Sequence, residues 1–233
     1  MPSLAHALYS GECLMSSLAH RNWVWKAECM SEISIESFDA EMVDAGDGIF
    51  IARSCVAIVT EQPGIPGTVR IHLAYDPTLH RAVAESVRVD RHGEGDEVTT
   101  TLLRDLRVQA IVKWAAAQVV VIDRDGDEPV LYDQYLARLR AEDGRTDDQN
   151  LREAVRLYRL ASVINDSPLK LVSEELGVSV STATRMMNRA RVAGLVDAET
   201  SREVVVLARE QQLRDQATGP AIGPDSSGPS TGR

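Results

Sequence analysis

Residues Leu169–Asn188 read LKLVSEELGVSVSTATRMMN, and this stretch decides how the C-terminal part of the chain folds. Val172 and Leu176 lie four residues apart, which places both on one face of a short helix. Ser173 is the small residue that a close helix crossing needs. Gly177 follows, where the left-handed backbone that ends a helix costs a glycine little. The pattern predicts a short helix closed by a tight turn.

A second helix is predicted directly after the turn. Ser179 or Ser181 can cap it by accepting a hydrogen bond from a free backbone N–H. Met186 and Met187 lie three and four residues after Ala183, and these three residues are predicted to form its apolar side. Gly194 is placed to end it. The sequence therefore predicts two short helices that pack through their facing apolar residues.

A supporting helix is predicted over Leu151–Ile164. Ala154, Leu157, Tyr158 and Ala161 fall three or four residues apart and so share one face. Three helices with these spacings are typical of a helix-turn-helix bundle.

The stretch 151–196 resembles the C-terminal domain of a group of actinobacterial and actinophage helix-turn-helix DNA-binding proteins. Looser similarity extends to residues 85–107, where a Val-x-Val strand, a polar loop and Leu-Arg recur. The resemblance implies DNA binding, but it implies no particular DNA sequence. The matching elements are Leu157-Tyr158, Leu176-Gly177-Val178-Ser179, Ser181-Thr182-Ala183, Arg189-Ala190-Arg191 and Gly194-Leu195.

The resemblance also implies which positions contact DNA. Arg185 has the fork that pairs with O6 and N7 of guanine, and Asn188 can pair with N6 and N7 of adenine. Ser181 and Thr184 are short enough to contact a phosphate or a thymine methyl. Similar proteins often carry Arg where this chain has Val180. The implied DNA-binding set is Ser179, Val180, Ser181, Thr184, Arg185, Asn188, Arg189 and Arg191.

The charge is distributed unevenly along the 233 residues. The formal net charge is −10. Residues 1–149 hold 14 basic and 25 acidic residues, whereas residues 150–215 hold 10 and 9. The stretch Ser179–Arg191 contains three arginines and no acid. Because local patches set the field that a phosphate meets, the acidic total does not exclude DNA binding, although it predicts weak non-specific affinity with a strong salt dependence.

Residues 31–132 are predicted to be strand-rich. Strands are expected near Ile33 and Ile35, over Ile49–Thr60 as one long run, around Val69–Leu73, and over Ala82–Asp90.

Helical segments are predicted within and after this strand-rich region. One helix is expected from Leu102 to about Ala117, with Leu103, Leu106, Ala110 and Trp114 on its buried face. A short strand at 119–122 and a helix at 132–140 follow.

The predicted fold is α+β, with a strand-rich N-terminal domain, an all-α helix-turn-helix domain and a disordered C-terminal tail. Residues 1–29 are either a leader from an upstream start codon or an ordinary flexible N-terminus. Residues 201–214 are predicted as a helix, with a wing strand as the alternative. The predicted divisions are 1–29, the acidic domain 30–141, the linker 142–149, the helix-turn-helix domain 150–215 and the tail 216–233.

The sequence contains no pattern that predicts a metal, a cofactor or a catalytic centre. The three cysteines are odd in number and widely spaced, which fits a reducing cytosol. Asp123, Asp125 and Asp127 resemble the start of a calcium loop, but its twelfth position is Gln134 instead of a bidentate Glu. No window is long and apolar enough to predict a membrane span.

These features favour a cytoplasmic, sequence-specific DNA-binding protein, a transcriptional regulator from an actinobacterium or its phage. The predicted partner is double-stranded DNA, read in the major groove by the helix 179–191. A homodimer on paired half-sites is expected, since one helix reads few base pairs. The alternative is a protein-interaction or DNA-mimicking adaptor that acts through the acidic N-terminal domain. An enzyme is not predicted.

Overall fold

The computed structural model describes residues 32–60, 67–94, 97–124, 128–197 and 200, and these residues form eight strands and six helices. The strands are β1 (Glu32–Phe38), β2 (Met42–Gly46), β3 (Ile49–Ala52), β4 (Ser54–Thr60), β5 (Gly67–Asp76), β6 (Arg81–Arg91), β7 (Val120–Ile122) and β8 (Val130–Leu131). The helices are α1 (Thr100–Asp105), α2 (Val108–Gln118), α3 (Tyr132–Ala141), α4 (Asp147–Val163), α5 (Pro168–Glu175) and α6 (Val180–Val192).

Alternating burial along β5 organises the first sheet. Val69, Ile71 and Leu73 are almost completely buried, while Arg70 and His72 lie on the opposite face and stay accessible. This two-residue period separates a core face from a solvent face, and it confirms the predicted strand. The sheet is antiparallel with the strand order β1-β4-β5-β6. Its core face contacts α2, which buries Val112 and Ala115.

The second sheet begins where the predicted long strand is interrupted. The run Ile49–Thr60 was expected to be one strand, but it forms β3 and β4, which belong to different antiparallel sheets. Arg53 is exposed between them, and its N–H donates to the Glu41 carbonyl at 2.9 Å. The second sheet has the order β2-β3-β7-β8. Gly48 approaches Asp123 so closely that a Cβ would lie 2.1 Å from its carbonyl oxygen, so only glycine fits there.

The helix predicted from Leu102 to Ala117 is wrong in its continuity, and of its predicted face Leu106 is buried whereas Leu103 and Ala110 are not. Leu106 has an extended backbone, with φ −69° and ψ 114°, and it separates α1 from α2. Leu103 is 52% exposed and Ala110 is exposed as well. The interruption changes the helical phase, so that α2 turns Ile111 and its neighbours toward the core instead.

Helices α3–α6 follow all eight strands along the chain, which confirms the α+β class with strands mainly N-terminal and helices mainly C-terminal. Helix α4 begins at Asp147, inside the segment predicted to be a linker. Thr146 and Gln149 form a capping box, in which the Gln149 N–H donates to Thr146 Oγ1 at 3.3 Å and the Thr146 N–H donates to Gln149 Oε1 at 2.8 Å. The predicted face of α4 is buried, and it comprises Ala154, Leu157, Tyr158 and Ala161.

The chain divides into two compact units. In the described residues the first unit contains residues 32–138 together with Leu160–Asp166, and the second contains Leu139–Arg159 together with residues 167–200. The second unit therefore begins with the end of α3, before the predicted helical domain at 150. The predictions for residues 1–29, 201–214 and 216–233 fall outside the described residues. Among the helices that the structure describes, none is long and apolar enough to cross a membrane.

Candidate nucleic-acid interface

Helix α5 and the turn that follows it are held by a specific set of hydrogen bonds. Pro168 occupies the first turn of α5, where its missing N–H leaves no bond unmade. The Ser173 hydroxyl donates to the Val178 carbonyl at 2.9 Å, and the Val178 N–H donates back to the Ser173 carbonyl at 3.0 Å. Gly177 has φ +64°, which confirms the predicted left-handed residue. The small side chain expected at Ser173 thus closes the turn.

Helix α6 is capped at both ends by the residues expected from the sequence. The Ser179 hydroxyl accepts a hydrogen bond from the Thr182 N–H at 3.1 Å and so serves as the N-cap. At the other end Gly194 has φ +72°. The Leu195 N–H donates to the Ala190 carbonyl at 3.0 Å, which is the six-to-one bond of a Schellman motif. These caps fix the length of α6.

One side of α6 is buried in the second unit. Ala183, Met187 and Ala190 are fully buried, and α6 packs against α5. Successive residues of a helix turn by about 100°. Residues on the opposite side therefore project away from this packed surface.

Four residues lie on the side of α6 opposite its buried residues, and we call them the outward stripe: Ser181, Arg185, Asn188 and Val192. On a helical projection these four residues fall within about 60° of one another and span about 16 Å along the axis. Arg185 is exposed and Val192 is 78% exposed. Within the described part of the chain, Arg185 makes no hydrogen bond or ion pair. Its guanidinium is therefore available to an external acceptor.

The eight predicted DNA-contacting residues do not all share this stripe. Thr184 is only 6% exposed, and its hydroxyl donates to the Val180 carbonyl at 2.9 Å. Its one donor is thus engaged inside the protein, which disfavours the phosphate contact predicted for it, and the burial of its side chain disfavours the alternative contact with a thymine methyl. Val180 is 43% exposed at the start of the helix. The hydroxyls of Ser179 and Ser181 lie 2.9 Å apart.

The two C-terminal arginines differ from each other. Arg189 is exposed, and its Nη2 lies 3.6 Å from Oδ2 of Asp147 on α4. Arg191 is half-buried, and its Nε has no hydrogen-bond partner among the described residues. The Arg189 side chain is therefore accessible from solvent, whereas the inner part of the Arg191 side chain lies at the edge of the packed surface.

Two ionic contacts of the second unit involve residues that the sequence analysis did not select. Asp147 touches the candidate interface through Arg189. Arg140, on α3, holds the carboxylate of Glu175 at the end of α5 with bonds of 2.7 Å and 2.6 Å. Asp147 is 42 positions from Arg189 and Arg140 is 35 positions from Glu175. No periodic pattern links residues so far apart, so the sequence carried no signal for these pairs.

Metal-ligating side chains are not clustered among the residues described. These residues contain no group of three or more His, Cys, Asp or Glu side chains that could hold a metal ion. Asp125 and Asp127 of the calcium-like stretch lie outside the described residues. Comparisons with protein-family models, with curated proteins and with solved structures found no match.

Proposed function

We propose that this protein is a cytoplasmic, sequence-specific DNA-binding protein that regulates transcription, and that α5 and α6 act as its helix-turn-helix. The observation that carries the proposal is the outward stripe of α6. It presents Arg185, which has no partner among the described residues, on a helix without acidic residues, while the opposite side of the helix is buried. An α-helix fits the major groove of B-DNA, which is about 12 Å wide.

The stripe offers groups that suit base edges. Arg185 would donate two parallel hydrogen bonds to O6 and N7 of guanine, and Asn188 would pair with N6 and N7 of adenine. Ser181, near the start of the helix, would contact a phosphate or a base edge. Arg189 would contact the DNA backbone, because the N-terminal part of a recognition helix lies nearest the bases. Thr184 is not assigned a DNA contact, because its hydroxyl donates to the Val180 carbonyl.

The net charge of the protein and the number of recognition helices set how tightly it can bind DNA. With an overall charge of −10, the protein gains little from long-range attraction to DNA. Affinity should therefore depend on a few close contacts, and each phosphate that the protein neutralises should add about 0.9 to the steepness of log Kobs against log salt. A homodimer on two half-sites would supply the second recognition helix. No catalytic residue, metal or cofactor is assigned.

The test is selection of full-length protein on a random duplex library at two salt concentrations. An enriched motif is expected. Arg185→Ala should then weaken binding to that motif by about 1–3 kcal/mol, as loss of a bidentate base contact does. Arg104→Ala is the matched control, since it removes an exposed arginine from α1 in the other unit. No enrichment by a folded protein, or equal losses in the two variants, would contradict the proposal.

The adaptor alternative gains no support from the first sheet. A DNA mimic needs acids gathered on one face, but the acids of this sheet alternate with bases. Asp90 accepts from Arg70 at 2.7 Å and from Arg88 at 2.8 Å, and Glu85 lies 3.2 Å from His72. The two arginines neutralise the Asp90 carboxylate locally. The DNA-binding proposal is therefore the one that the described residues favour.

A further inference from the structure

The ion pair between Arg189 and Asp147 links the candidate interface to the start of α4. The Nη2–Oδ2 distance is 3.6 Å, and the two side chains are 59% and 88% exposed. Asp147 is the first residue of α4, next to Asp148. Both partners can therefore be reached by a third charged group from outside.

Arg189 is distinguished from the other arginines of α6 by this contact. Among the described residues, Asp147 is the only acid that pairs with an arginine of α6. Arg189 lies one turn beyond Arg185 and about 40° around the helix, at the margin of the outward stripe. This position suits a phosphate contact better than a base contact, because it lies toward the C-terminal end of the helix.

We propose that Asp147 competes with a DNA phosphate for Arg189 and thereby limits how strongly the protein binds the DNA backbone. The inference rests on the proposed function and adds a specific restraint to it. A phosphate that approaches Arg189 must replace the carboxylate, which stays nearby and repels it. At physiological ionic strength the screening length is about 8 Å, so salt weakens this short-range repulsion only in part.

The competition predicts a gain of affinity when the acid is neutralised. Asp147→Asn in the full chain should lower Kd by about 1.5- to 5-fold, the range expected for an exposed ion pair. The factor should be the same for the selected motif and for a random duplex, because phosphates carry no sequence information. The slope of log Kobs against log salt should steepen by up to about 0.9, corresponding to one more phosphate contact.

A neighbouring acid provides the matched control. Asp148 stands in the same turn of α4, but it pairs with Arg152 of its own helix at 3.1 Å. Asp148→Asn removes the same charge without releasing Arg189, so it should change Kd less than Asp147→Asn does. In an Arg189→Gln background, Asp147→Asn should have no effect beyond that of the control. Circular dichroism of every variant establishes that the helices are intact.

The outcomes separate the two proposals. If the folded wild-type protein binds no duplex, the DNA-binding function falls and this inference falls with it. If the wild type binds but Asp147→Asn behaves like Asp148→Asn, only the competition is refuted. A gain larger than that of Asp148→Asn that persists in the Arg189→Gln background refutes it as well. A gain confined to the selected motif would show that Arg189 reads a base, which also overturns the inference.

Discussion

The bond between Arg140 and Glu175 gives a strong test of how α5 is held. The Glu175 side chain is only 6% exposed, and its two oxygens accept from Nε and Nη2 of Arg140 at 2.7 Å and 2.6 Å. Arg140→Ala leaves this carboxylate without its cation. We therefore expect α5, and the turn that follows it, to open more easily in the variant.

The size of the effect follows from the unequal exposure of the partners. Breaking a fully buried ion pair costs about 3–5 kcal/mol. Arg140 is 60% exposed, so water can reach the carboxylate once the arginine is removed, and we expect a smaller loss of about 2–3 kcal/mol. This corresponds to a fall in amide protection of roughly 30- to 150-fold.

Native-state hydrogen exchange of α5 peptides is the appropriate assay, because it measures opening of this segment separately from the rest of the chain. Arg138→Ala is the control, since Arg138 is exposed on the same helix, and it should change protection by about twofold or less. Arg140→Met with Glu175→Met should recover most of the loss, because an apolar pair needs no counter-charge. Unchanged protection of α5 in Arg140→Ala, or an equal fall in Arg138→Ala, would refute the reasoning.

Two further predictions concern ionisable groups of the first unit. Burial raises the pKa of the Cys55 thiol to about 12. In a protein with Cys13→Ser and Cys29→Ser, iodoacetamide at pH 8 should therefore label Cys55 readily in the unfolded chain and hardly at all in the native chain. Rapid labelling of the native chain would contradict this prediction. The hydrogen bond from Arg88 lowers the pKa of Asp90, so its contribution to folding should be present above about pH 4 and be lost as the pH falls below it. The difference in the free energy of unfolding between wild type and Asp90→Asn, measured by urea unfolding, should shrink on acidification. A difference that grows on acidification would contradict the lowered pKa.

Local sequence patterns predicted helices and strands well where buried and accessible residues recur with one constant period. The alternation around Val69–Leu73 predicts β5 because successive residues of a strand face opposite sides of a sheet. Patterning failed at Arg53, where one apolar run supplies two sheets. It failed again at Leu106, where the interruption rotates the next helix. Periodicity cannot detect such points, since the residues on both sides still fit the same repeat.

Some features of the candidate interface were predicted from the sequence and others were not. The glycines Gly177 and Gly194 were predicted, and Ser179 was one of two serines predicted as the cap, because these roles are local. Thr184 was misjudged as a contact because its hydroxyl turns back to the Val180 carbonyl, which serine and threonine side chains often do within helices. The DNA-binding role itself stays a prediction.

The sequence by itself determined the strand and helix periods, the caps of α6 and the acid-free character of Ser179–Arg191, since each depends on neighbours within one or two turns. Only the tertiary structure decided which charges meet. It pairs Asp147 with Arg189 and Arg140 with Glu175, and it places Arg140 in the second unit although it precedes the domain predicted from residue 150. Ion pairs form between side chains within about 4 Å of each other in space, and packing of the helices, not spacing along the chain, sets that distance.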